Sequence, residues 1–170
     1  MNESKIAEPW LKGTLTEVPA VFRAVLHALE LAKEDIERWC GGLTDEQLNA
    51  RPAGIAPLAF HVRHIARSID RLLTYAEGRQ LDDQQIAALK TELDSSVTRG
   101  ELFYEFAEAL DHAAARIRAL IPARLDEPRK VGKRALPTTV GGLLVHVADH
   151  TQRHVGQAVT TAKIVVAQNR

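Results

Sequence analysis

Residues 140–166 read VGGLLVHVADHTQRHVGQAVTTAKIVV, and the spacing inside this one stretch tells which kind of fold to expect. Val140, Leu144, Val147, Thr151, Val155, Ala158 and Ala162 recur at three and four residues, which places them on one stripe of an α-helix. His154 borders that stripe, His150 lies next to it on the same side, and His146 stands further round. Residues four apart on a helix lie nearly one above the other, so His150 and His154 can reach one ion together. The imidazoles are thus expected near the interior of a helical assembly without being central to it, where a site open at one end can form.

The same periodicity recurs three more times along the chain. Val21, Val25, Leu29, Ala32, Ile36 and Trp39 predict a helix over 19–40, stopped by Gly41 and Gly42. Leu58, Val62, Ile65, Ile69, Leu72 and Ala76 predict a second over 57–77, stopped by Gly78, and Leu102, Phe106, Ala109, Ala113, Ile117 and Leu120 a third over 99–120. Thr44 and Gln47 resemble a capping box opening a short helix before Pro52, and a further short helix is expected around 82–93. Residues 122–138 form a charged connection, long enough to fold over the helices or border a site, after which Thr138 or Thr139 can cap the last helix. Strand signals are essentially missing. The expected fold is all-α, a four-helix bundle with long connections, in one domain over residues 1–170.

Composition narrows the function classes. Lys and Arg together number 22, as do Asp and Glu, so no global charge draws the chain to nucleic acid or an anionic membrane. The single cysteine, Cys40, excludes an internal disulfide and a thiolate-rich zinc site. Glu3, Lys5, Glu8, Lys12 and Glu17 interrupt residues 1–20, which leaves no apolar secretory core, and no stretch approaches the ~20 apolar residues of a membrane span. A cytoplasmic protein is expected.

Five of the seven histidines, His61, His64, His146, His150 and His154, fall in two helical segments, whereas His27 and His112 stand alone and read as surface or hydrogen-bonded residues. A third imidazole beside His150 and His154 would complete three nitrogen ligands and leave a coordination position open, the mark of a reactive rather than a structural metal site. His61 and His64 compete for that place, and helical geometry alone does not choose between them. Familiar alternatives fail on residues. The last helix has no Glu to make H-E-x-x-H, no histidine follows a Glu at three residues, and no C-x-x-C or Gly-rich phosphate loop exists. A mononuclear all-histidine site is what the motifs leave.

Arg63-His64-Ile65-Ala66-Arg67-Ser68 resembles the H-[IL]-A-x-S element in the second helix of DinB-like four-helix bundle proteins. His150-Thr151-Gln152-Arg153-His154-Val155-Gly156-Gln157 resembles their last-helix element, commonly H-x-x-x-H-R-G-Q, and the helix order extends the likeness over nearly the whole chain. The resemblance implies one divalent metal, usually nickel or zinc, held by His64, His150 and His154, and it implies a homodimer. Gly156 would permit close helix approach. The family's Arg after the last ligand is Val155 here, which removes any role of that Arg in holding an anionic substrate.

Relatives of this kind include enzymes that use a low-molecular-weight thiol, so a metal-dependent thiol transferase is the leading expectation, ahead of hydrolysis. A non-catalytic metal-binding bundle in stress response or partner binding is the alternative, and a bundle whose histidines merely pack is a third. Asp149, Gln152, Arg153 and His146 are candidates to contact substrate or support the ligands, and Arg67 and Arg71 are candidates to hold an anionic thiol or to lie solvated.

Overall fold

The computed structural model describes residues 7–94 and 97–168; Glu3 and Lys5 lie outside the described residues. Its helices are α1 (Ala20–Cys40), α2 (Asp45–Asn49), α3 (Leu58–Ala76), α4 (Asp83–Lys90), α5 (Arg99–Ala119) and α6 (Val140–Gln168). Four of them, α1, α3, α5 and α6, are long, and α6 packs on both α1 and α3 while α5 closes the other side of α3. The stripe read from the sequence of α6 is buried throughout, and Leu144, Val147, Thr151 and Ala158 are wholly inaccessible. Ile36 of α1, Ile65 and Leu73 of α3 and Ile117 of α5 complete one apolar cluster with it. Burying side chains of this size contributes ~1.5–3 kcal/mol each before the entropy of ordering them is subtracted.

The helix ends follow from local chemistry. Thr44 with Gln47, Asp82 with Gln85, and Thr98 with Glu101 form capping boxes that satisfy the first backbone donors of α2, α4 and α5. Thr139 accepts from Gly142 N at 3.0 Å and so caps α6. Gly78, at φ +81°, ends α3 in a Schellman arrangement, with Arg79 N bonded to Thr74 O and Gly78 N to Tyr75 O. Trp39 departs from the expected stripe of α1. It lies at the exposed margin, where the Lys163 ammonium sits 4.2 Å from its ring centroid.

The charged connection contains a strand pair that helical periodicity does not reveal. β1 (Pro128–Val131) and β2 (Leu136–Thr139) are antiparallel, with Pro128 opposite Thr139 and Val131 opposite Leu136. Val140 N donates to Glu127 O and Gly141 N to Leu125 O at 2.8 Å, which ties the base of the hairpin to the first turn of α6. Arg129 fastens the hairpin to the end of α3 by donating from Nε to Ala76 O at 2.8 Å. No helix among the described residues is long and apolar enough to cross a membrane.

Candidate metal centre

Helices α3 and α6 lie against each other along their length, and the site sits in that seam. His64 projects from α3, and His150 and His154 project from successive turns of α6. One ring nitrogen from each can be chosen so that all lie within 4.8 Å of one another, a group able to hold one metal ion. His64 Nε2 is 2.9 Å from His150 Nε2. Two nitrogens bound to a common ion at ~2.0–2.1 Å stand roughly 3 Å apart, so this spacing is near that of co-ligands. All three residues are half-buried, between core and solvent as the helical wheel predicts.

The environment favours the ligating form of the rings. Burial first, and the neighbouring His64 second, push His150 and His154 down to about 4. His150 and His154 are therefore neutral imidazoles with available lone pairs at neutral pH. His61 is also held down to about 4, by burial and by His64.

His61 does not join the triad. It sits behind His154, Nδ1 to Nδ1 at 3.1 Å, so one ring donates to the other. Phe60 stacks on His64 with centroids 5.3 Å apart and meets His61 edge-on, giving the site an aromatic wall. His150 Nδ1 is buried without a hydrogen-bond partner.

A residue that sequence reasoning missed completes the picture. Glu92, buried in the turn after α4, accepts from His64 Nδ1 through Oε2 at 2.7 Å and from Arg71 Nη1 through Oε1 at 2.7 Å. Burial pushes its carboxyl up, but the bonds from His64 and Arg71 outweigh that and hold it below the ordinary range. A carboxylate on the far nitrogen of a histidine is a common support of metal ligands.

The other candidates resolve differently. Gln152 donates to Ala28 O at 2.7 Å and ties α6 to α1. Arg153 and Asp149 pair with each other on the exposed face, and His146 Nδ1 lies 3.9 Å from the same carboxylate. Arg67, half-buried, and Arg71, buried, are both engaged by other side chains and are not free to receive an anionic thiol by themselves. Arg67 donates to Glu105 at 2.6 Å and to Ala88 O at 2.8 Å, and Arg71 is committed to Glu92. His27 is buried against Thr14 Oγ1 at 3.1 Å, and His112 is exposed.

Residues 28–158 match the model of the DinB superfamily, a span that contains all three histidines. The chain belongs to the DinB superfamily. A crystal structure described as that of a conserved protein from Enterococcus faecalis is similar to this DinB superfamily member with a TM-score of 0.72, at 19% identity, over 88% of this chain and 99% of that one. At that identity the likeness concerns the fold alone. No functionally curated protein matches the chain.

Proposed function

We propose that this DinB superfamily protein holds one divalent metal ion through His64, His150 and His154, and that it transfers a low-molecular-weight thiol to an electrophilic substrate. The observation that carries the first half is the convergence of three half-buried imidazoles from two helices within 4.8 Å. Nickel and zinc are the ions the family resemblance implies, and both accept imidazole nitrogen, as copper and iron also do. A 2+ ion with only neutral ligands would lower the pKa of a bound thiol or water and present it at an open coordination position.

The chain's own side chains supply the rest. Glu92 orients His64, His61 buttresses His154, and Phe60 provides an apolar surface beside the rings. Cys40 is no substitute for an external thiol, because it is wholly buried in the core. A second reading, a metal-binding bundle without catalysis, is favoured by one observation. Arg67 and Arg71, the side chains suited to an anionic thiol, are already engaged by Glu105 and Glu92.

Elemental mass spectrometry of the untagged protein tests the metal. Near-stoichiometric nickel or zinc in the wild type, lost in both His150→Ala and His154→Ala, is the expected result. Wild-type protein that stays empty after incubation with either ion would end this reading. Consumption of small thiols against electrophiles by the loaded protein then separates transferase from binding protein.

A further inference from the structure

We propose that Glu92 is a positioning residue: clamped by Arg71, its carboxylate accepts a hydrogen bond from His64 Nδ1–H, which keeps the proton on that nitrogen and leaves the Nε2 lone pair facing His150. The proposal rests on the metal reading above and adds the device that sets the ligating tautomer.

Three arginines at four-residue spacing on α3 build this device. Arg63 donates to Thr91 O at 3.1 Å and to Asp94 O at 3.0 Å, pinning the backbone on either side of Glu92. Arg67 donates to Thr91 Oγ1 and to Ala88 O, each at 2.8 Å, which fixes the end of α4. Arg71 then binds the carboxylate itself. Spacing of four residues puts the three on one face, and the helix that presents His64 thus also places the turn that supports it.

Glu92 is 5% exposed and Arg71 9%. Burying a carboxylate costs several kcal/mol unless its oxygens are satisfied. Arg71 engages one oxygen; the other meets His64 at the same 2.7 Å. Among the three histidines, His64 alone has a carboxylate partner of this kind: His154 leans on another imidazole, and His150 Nδ1 has no partner.

Glu92→Gln separates positioning from support, because the amide keeps the shape and offers only one acceptor. The guanidinium, making the stronger charge-assisted bond, claims that oxygen. The amide NH2 then meets His64 Nδ1 and drives the proton to Nε2. Histidine-ring 15N spectra of metal-free protein at about pH 8.5, above the ordinary imidazole range, read the tautomer directly. The expected result is an Nδ1–H form of His64 in the wild type and an Nε2–H form in Glu92→Gln. Zinc affinity, from chelator competition, is expected to fall ~10–100-fold in the variant. Adding Arg71→Met frees the amide oxygen, so His64 should return to the Nδ1–H form and recover most of the affinity.

An Nε2–H form of His64 in the wild type would overturn the proposal, whether or not any variant folds. So would a Glu92→Gln protein with unchanged tautomer and affinity within about threefold of wild type, since such support is ordinarily worth more. A wild type with the Nδ1–H form that takes up neither nickel nor zinc would sink the metal reading and leave the positioning itself standing.

Discussion

Cys40 ends α1 wholly inside the core, and burial together with the charge of Asp35 pushes its thiol up to about 12. A thiol with so little thiolate at neutral pH is a poor nucleophile. Native protein is therefore expected to resist a chromogenic disulfide reagent and to react once urea exposes the core; prompt stoichiometric labelling without denaturant would contradict the packing. Among the site residues, legibility depended on helix period. His150 and His154 are four apart on one helix, so their convergence could be read directly. His61 and His64 are three apart, and either can face a neighbouring helix; only the packing of α3 on α6 puts His64 in the triad and His61 behind His154. Glu92 stands 28 residues from His64 in a turn with no periodicity, and no local pattern couples them.

The long helices were legible because each keeps its apolar period over five or more turns, while the hairpin was not. β1 and β2 have four residues each, and Pro128, Pro137, Arg129 and Lys130 resemble an ordinary charged loop. Gly156 also corrects an expectation. A Cβ there would meet nothing within 4 Å, so the glycine serves no close approach between helices of this chain. Since its conformation is ordinary helix, Gly156→Ala is expected to stabilise the protein by ~0.5–1 kcal/mol, through reduced freedom of the unfolded chain. Urea denaturation measures this, and a destabilised variant would mean that something outside the chain packs on that face. Removing a cap should act in the opposite sense. Thr98 Oγ1 accepts from Glu101 N and the Thr98 N–H donates to Glu101 Oε2, so Thr98→Ala is expected to cost about 1 kcal/mol in the same experiment.

Acid tests how the whole molecule is held, because ion pairs join its elements outside the apolar core. Arg116 of α5 reaches Asp70, in the C-terminal half of α3, at 2.6 Å and Glu77, which caps that helix, at 2.6 Å. Burial pushes the Glu77 carboxyl up, but hydrogen bonds and charge from Arg116 and Arg79 outweigh it and hold the carboxyl below its ordinary value. Glu92 is held low in the same way by His64 and Arg71. A carboxyl with a lower pKa in the folded state than in the unfolded chain is the more readily protonated when unfolded. Its stabilisation is complete above the unfolded value of ~4.3 and is lost as pH falls through the folded value. Asp35 works against this, since burial raises its pKa and its folded form prefers the proton. Glu101, in the capping box with Thr98, is held low as well, so three depressed carboxyls against one raised predict stability falling from about pH 5 downward. Glu77→Gln removes one of the depressed groups and leaves the shape of the side chain. The variant is expected to be less stable than wild type at neutral pH, with a shallower acid slope, so that the two curves approach each other at the lowest pH. Urea midpoints at successive pH values measure both curves. Parallel curves would mean that the Arg116–Glu77 pair is too well solvated to link α3 and α5 energetically, leaving that link to the apolar seam and to pairs such as Arg67–Glu105.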